Sequence, residues 1–96
     1  MIIYVKGYLT LKPIIGDQQL EYPDEKITSL QDLLDRLSHE LGGEFQRIVY
    51  DSSTQKIGSS IAILINGSHY RHLPDKQNTI LKNQDKISIF PPIAGG

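Results

Sequence analysis

Cysteine is absent from these 96 residues, and that one absence removes disulfide staples, thiolate zinc sites and a cysteine nucleophile. A surplus of either charge is also missing. Ten Lys and Arg stand against eleven Asp and Glu, a formal net charge of −1. Such a chain raises no positive field to draw phosphate backbones, so nucleic acid is not expected as a partner. Long apolar runs are lacking too. The longest, residues 1–5 and 61–65, fall far short of the roughly 20 residues that a membrane span needs. Met1 leads straight into a strand-like stretch, without the charged and apolar segments of a secretory signal. A cytoplasmic location with no membrane partner is therefore expected. Repeats, linker-like breaks and low-complexity stretches are absent as well.

What is present suits one domain over residues 1–96. The 39% hydrophobic residues can build a core, and the 22% charged residues keep the outside wet, at a length near the roughly 100–150 residues of a typical single core. Residues 2–9 read as a strand, with Ile3, Val5 and Leu9 on one face and Tyr4, Lys6 and Tyr8 on the other. Pro13 and Gly16-Asp17 mark a turn, after which residues 18–22 read as a returning strand. Leu30, Leu33, Leu34, Leu37 and Leu41 recur at helical spacing and form one apolar stripe. Thr28 or Ser29 is expected to cap this helix, and Thr28 with Gln31 has capping-box spacing. Gly42-Gly43 is expected to stop it.

Residues 44–60 read ambiguously, as a short helix and strand or as a loop. The apolar run 61–65 has the mark of a strand buried in mid-sheet. Asn66-Gly67 follows it as a hairpin turn, since both residues tolerate positive φ. Residues 78–84 read as polar and turn-like around Ile80-Leu81. Lys86–Phe90 reads as the last strand, Ile87 and Ile89 on one face, Ser88 and Phe90 on the other. Pro91-Pro92 ends it, because proline cannot donate to the ladder. This order suggests an α+β fold: a mixed sheet with one main helix packed across it, the first and last strands parallel at its middle.

The end of the chain is the most informative stretch. Ser88-Ile89-Phe90-Pro91-Pro92-Ile93-Ala94-Gly95-Gly96, preceded by Thr79-Ile80-Leu81-Lys82-Asn83-Gln84-Asp85-Lys86-Ile87, resembles the C-terminal signature of the ubiquitin-like sulfur carriers, the MoaD/ThiS family. Within that family the likeness is nearest to the small subunit of molybdopterin synthase. Ile63-Leu64-Ile65-Asn66-Gly67 resembles that family's strand and turn. The likeness runs from Met1 through the helix and from Ile61 to the end, most specific at the tail. It implies a ubiquitin-like β-grasp fold, with residues 91–96 as a flexible tail.

The residue types at the tail make chemical sense without any family. Gly95 and Gly96 carry no side chains and suit a narrow channel in another protein. Ala94 is nearly as slim, and Pro91-Pro92 favours an extended path away from the sheet. Fully extended, the residues after Phe90 reach ~20 Å, at about 3.3–3.6 Å per residue.

The resemblance then implies a mechanism. An E1-like adenylating enzyme, using ATP and magnesium, would adenylate Gly96, and a sulfur donor would displace AMP to leave a C-terminal thiocarboxylate. The large subunit of molybdopterin synthase would take the same tail and pass the sulfur to a pterin precursor. This chain would hold no cofactor of its own and would act as a non-catalytic, sulfur-donating subunit. Gly96 and Gly95 are the reacting end. Phe90, Pro91, Pro92, Ile93 and Ala94 present it to the partner. The family's apolar docking patch corresponds to Tyr8 and Phe90, with a third position near His69. Histidine stands there in place of an apolar residue, with Tyr70 as a candidate substitute.

Blander readings apply elsewhere. A terminal diglycine alone reads as a frayed end, and Phe90 alone as a half-buried aromatic; their shared context reverses the first of these. His69, Tyr70, Arg71 and His72 read as a solvated loop, because two histidines without a third ligand make a weak metal site. No metal site is expected. His39 only complements the helix dipole, and Asp32 and Asp35 read as solubility. Asn66-Gly67-Ser68 matches the glycosylation pattern but reads as a turn. Two rival functions share the tail chemistry: a protein modifier conjugated through Gly96, and the sulfur carrier of thiamine synthesis, whose members are usually shorter.

Overall fold

The computed structural model describes residues 1–21 and 27–92; Tyr22, Ile93, Ala94, Gly95 and Gly96, which enter the expectations above, lie outside the described residues. A five-stranded mixed sheet forms the frame, built from β1 (Ile2–Gly7), β2 (Asp17–Glu21), β3 (Ala62–Ile65), β4 (Ser68–His69) and β5 (Lys86–Phe90). The strand order is β2-β1-β5-β3-β4. β5 is central, parallel to β1 and antiparallel to β3. A parallel neighbour cannot be reached by a hairpin, and the intervening chain supplies the crossover with α2 (Leu30–Leu41) and α3 (Gly43–Val49).

Alternation along the strands decides which residues make the core. Ile3 and Val5 of β1, Ile63 and Ile65 of β3, and Ile87 and Ile89 of β5 are buried together with Leu30, Leu33, Leu34 and Leu37 of α2. Leu41 is only partly buried, because the stripe drifts outward at the last turn. The run 61–65 is less uniformly buried than its composition suggests. Ile63 and Ile65 face inward while Ala62 and Leu64 stay half-buried on the outer face, and the strand lies one place off the centre of the sheet.

The helix cap is Ser29, and its box partner is Asp32. Ser29 Oγ accepts from Asp32 N at 3.2 Å, while Asp32 Oδ2 accepts from Ser29 N at 3.1 Å. Thr28 N and Thr28 Oγ1 donate to the same oxygen, at 3.0 and 2.9 Å. Thr28 with Gln31 is thus not the capping pair, and Asp32 is a structural acceptor rather than a solubilising charge. A carboxylate accepts all three donors, which an amide oxygen shared with its own N–H₂ does less well. Gly42, at φ +77°, ends α2 as expected. Gly43 then opens α3, which buries Phe45 and Val49; it resolves residues 44–49 of the ambiguous segment as helix, and turns and irregular backbone carry the chain on to residue 60.

Asn66 and Gly67, at φ 51° and 88°, form a two-residue hairpin between Ile65 and Ser68, the turn that the dipeptide predicts. Asn66 also joins the hairpin to β5. Its Nδ2 donates to Asp85 Oδ1 at 2.8 Å, and its Oδ1 accepts from Lys86 N at 2.9 Å.

One expectation about β1 fails. The strand stops at Gly7, and residues 9–11 form a 3₁₀ turn leading into the short helix α1 (Lys12–Ile15). Leu9 therefore leaves the face of Ile3 and Val5 and is 61% exposed. Gly7 shows the cause. A Cβ there would lie 2.7 Å from the Leu11 carbonyl oxygen and 2.9 Å from Ile15 Cβ, so only glycine lets the turn close over the strand end.

Candidate docking face at the root of the tail

β5 carries the chain from the middle of the sheet to the tail. Its inward residues anchor it, so Ser88 and Phe90 fall on the outer face. Phe90 pairs with Ala62 of β3, and Leu64 of β3 pairs with both Ser88 and His69. Paired residues share a face, so Phe90, Ala62, Leu64 and His69 line one side of the sheet, each half-buried.

Tyr8 joins them from just beyond the end of β1. Its N–H donates to the Ile89 carbonyl at 3.1 Å, which holds the residue against the end of β5 beyond the last paired strand position. The Tyr8 and Phe90 rings then stack, centroids 4.2 Å apart and planes 13° apart. Lys6 Nζ sits 5.2 Å from the Tyr8 ring centroid, within range of a cation–π attraction. The tail thus starts from a braced aromatic pair. Pro91 is buried and Pro92 exposed.

His69 lies on the outer face and Tyr70 does not. Tyr70 is only 4% exposed and belongs to the core, because the 3₁₀ turn Tyr70–His72 rolls its ring inward. It cannot take a place on the patch. The His69 imidazole stacks on Tyr70 with centroids 5.3 Å apart, and its Nδ1 accepts from Arg71 N at 3.2 Å. Burial, then the neighbouring charges of Arg71 and His72, push its pKa below the usual histidine value. The shift favours the neutral form, which the cross-strand neighbour Leu64 tolerates better than a charge.

Sequence reasoning missed Leu64 and Ala62 as members of this face. The uninterrupted apolar run hid its own alternation. Arg71 was also missed: it donates to the Gly58 and Ser59 carbonyls, fastening the loop before β3 to the turn after β4. Among the described residues no group of three or more metal-binding side chains occurs, and no helix is long and apolar enough to cross a membrane. The outer face has the makings of a docking surface.

Comparison with known proteins gives a consistent picture. The model of the ThiS family matches residues 9–96. Small archaeal modifier protein 3 of Haloferax volcanii is 27% identical over 96 residues, all of both chains. The solution structure of small archaeal modifier protein 1 from Methanosarcina acetivorans is similar with a TM-score of 0.80 and 27% identity, over 99% of this chain and 96% of that one. A candidate molybdopterin converting factor, subunit 1, from Pyrococcus furiosus shares the fold with a TM-score of 0.68 at 20% identity, over 96% and 98% of the two chains. The fold is the ubiquitin-like β-grasp that the tail signature implied.

Proposed function

The chain belongs to the ThiS family of ubiquitin-like sulfur carriers, and from that premise we propose that it is a protein modifier, joined to other proteins through the Gly96 carboxylate. The full-length likeness to a modifier protein carries this reading. The tail alone ranks the molybdopterin synthase subunit first. That order is reversed here, because the molybdopterin-related neighbour is similar in fold only.

A free carboxylate does not acylate an amine, so it must first be activated. Attack of the Gly96 carboxylate on the α-phosphate of ATP expels pyrophosphate and leaves an acyl-adenylate. An E1-like enzyme would supply the ATP and magnesium site. A lysine amine of the acceptor then attacks the acyl carbon, AMP leaves with the bonding pair, and the amine loses a proton to give an isopeptide bond. This chain supplies the slim tail and the braced face at its root. Binding energy at that face offsets the entropy of threading the tail.

The Phe90-Pro91-Pro92 step supports a second fate for the same adenylate. A sulfur nucleophile in place of the amine leaves a thiocarboxylate on Gly96, for transfer with the molybdopterin synthase large subunit as partner. The chain has no cysteine, so sulfur could ride only on the chain end.

Two measurements separate these fates. Immunoblots of cells expressing the chain should show a ladder of heavier conjugates that vanishes when Gly96 is removed. Incubation with an adenylating enzyme, ATP, magnesium and sulfide should raise the intact mass by the difference between sulfur and oxygen. An absent ladder with a positive mass shift would leave sulfur carriage alone. Absence of both would refute the use of Gly96.

A further inference from the structure

Leu9 stands out on two counts. It and Ile80 are the exposed large hydrophobic residues, at 61% and 59%, among those described. Leu9 also adopts φ +53°, in the left-handed region that penalises a residue with a Cβ and a bulky side chain. The other described non-glycine residues with positive φ are Gln55, Asn66, Lys76 and Gln84. All are polar. Asparagine or glycine would relieve the strain at position 9 and remove an apolar side chain from water. Leu9 lies outside the hydrophobic core and the residues packed against it, so core burial does not account for leucine at this strained position.

The turn decides where Leu9 is presented. Gly7 admits the turn that swings the chain off β1. Backbone bonds from Leu11 N to the Tyr8 carbonyl, 2.9 Å, and from Lys12 N to the Leu9 carbonyl make the turn rigid. Tyr8 is tied to Ile89, so Leu9 is presented at the end of the sheet where β5 finishes and the tail begins. Ile80 lies at the other end: Gln84 N donates to the Ile2 carbonyl and Tyr4 N to Asp85, which places the segment before β5 beside the start of β1.

We infer that Leu9 is a docking anchor for the adenylating enzyme that takes up Gly96. The inference rests on the proposed activation of Gly96. Tail reach bounds how far from the sheet this occupant can sit. Six residues follow Phe90 and span at most ~20 Å, at about 3.3–3.6 Å each. An enzyme that seats the final carboxylate must therefore bring its own surface within that reach of the end of the sheet, where Leu9 projects. Adenylation comes first for either fate, so the contact is needed in both.

The test is ATP–pyrophosphate exchange by the adenylating enzyme at varied concentrations of the full chain. Leu9→Asn and Leu9→Gly both suit positive φ, so both should fold with a thermal midpoint no lower than the parent's. Each should raise KM about tenfold with kcat unchanged, the signature of a lost uniform binding contact worth one buried leucine. Ile80→Asn should leave KM unchanged. Parental KM in both Leu9 variants, or an equal rise for Ile80→Asn, would overturn the anchor while leaving Gly96 activation intact. No exchange with the unmodified chain would overturn the activation reading, and the anchor with it.

Discussion

The Tyr8 and Phe90 rings lie 4.2 Å apart and within 13° of parallel, joining the residue just after β1 to the last residue of β5 on the outer face. Neither residue is fully buried, so the pair's stability rests on mutual contact more than on exclusion from water. Stacked aromatic pairs are worth ≈ 0.5–1.5 kcal/mol beyond area burial. A double-mutant cycle of Tyr8→Ala and Phe90→Ala, read by urea unfolding, should give a coupling of about 1 kcal/mol. Additivity within about 0.3 kcal/mol would show that the rings are merely adjacent.

Gly7→Ala should be among the most damaging small substitutions in the chain. The added methyl would meet the Leu11 carbonyl oxygen at 2.7 Å, a backbone atom that cannot swing aside. Overpacking of this kind costs about 1–3 kcal/mol. The urea midpoint should fall accordingly, and amide exchange should quicken in residues 8–12, where the turn must lift away. Unchanged protection across that turn would contradict the close packing at Gly7.

These details mark where the sequence could be read and where it could not. The leucine stripe of α2, the Asn66-Gly67 turn and the alternation of Lys86–Phe90 are local patterns, set by residues a few positions apart. Leu9 was misplaced because alternation was extended past Gly7, and nothing local shows that Leu11 and Ile15 fold back over that glycine. The helix α3 was hidden by Gly42-Gly43, which reads as a stop. Phe45, Ile48 and Val49 nonetheless fall at helical spacing, a signal available in the sequence. Tyr70 was placed on the surface because its neighbours are polar; its burial depends on the turn after β4. The outer face required cross-strand register, which joins Phe90 to Ala62 and Leu64 to His69. Register is a tertiary fact.

The Asp32 cap makes a pH-dependent contribution to stability. Hydrogen bonds from the Thr28 backbone, the Thr28 hydroxyl and the Ser29 backbone hold its carboxyl below the ordinary value of 3.8, against a small opposing effect of burial. A carboxylate with a lowered folded-state pKa adds stability that is present above the unfolded value and lost as pH falls through the folded one. Asp32→Ala should cost about 1 kcal/mol near neutrality, as lost caps typically do. The gap between variant and parent should close below an ordinary carboxyl pKa of 3.8. Urea unfolding at neutral and at strongly acid pH checks this, and a gap constant across the range would mean that the charge contributes nothing.

His69 should make docking sensitive to acid through the opposite chemistry. Burial, Arg71 and His72 all disfavour its protonated form, so its pKa lies below the ordinary 6.5. A base with a lowered folded-state pKa is neutral in the fold while the unfolded chain already takes up protons, so stability falls as pH drops below the unfolded value. On the outer face the same proton would place a charge beside Leu64, its partner across the strands. Proton NMR of the imidazole should give a midpoint below 6.5, moving upward in Arg71→Ala as one repelling cation is removed. Exchange catalysed by the adenylating enzyme should show KM rising as pH falls through that midpoint, and His69→Phe should abolish this dependence while leaving the neutral-pH KM nearly unchanged. A histidine that titrates at or above its ordinary value would remove the reason for regarding this corner of the face as apolar, and an acid response that survives His69→Phe would have to arise in the partner.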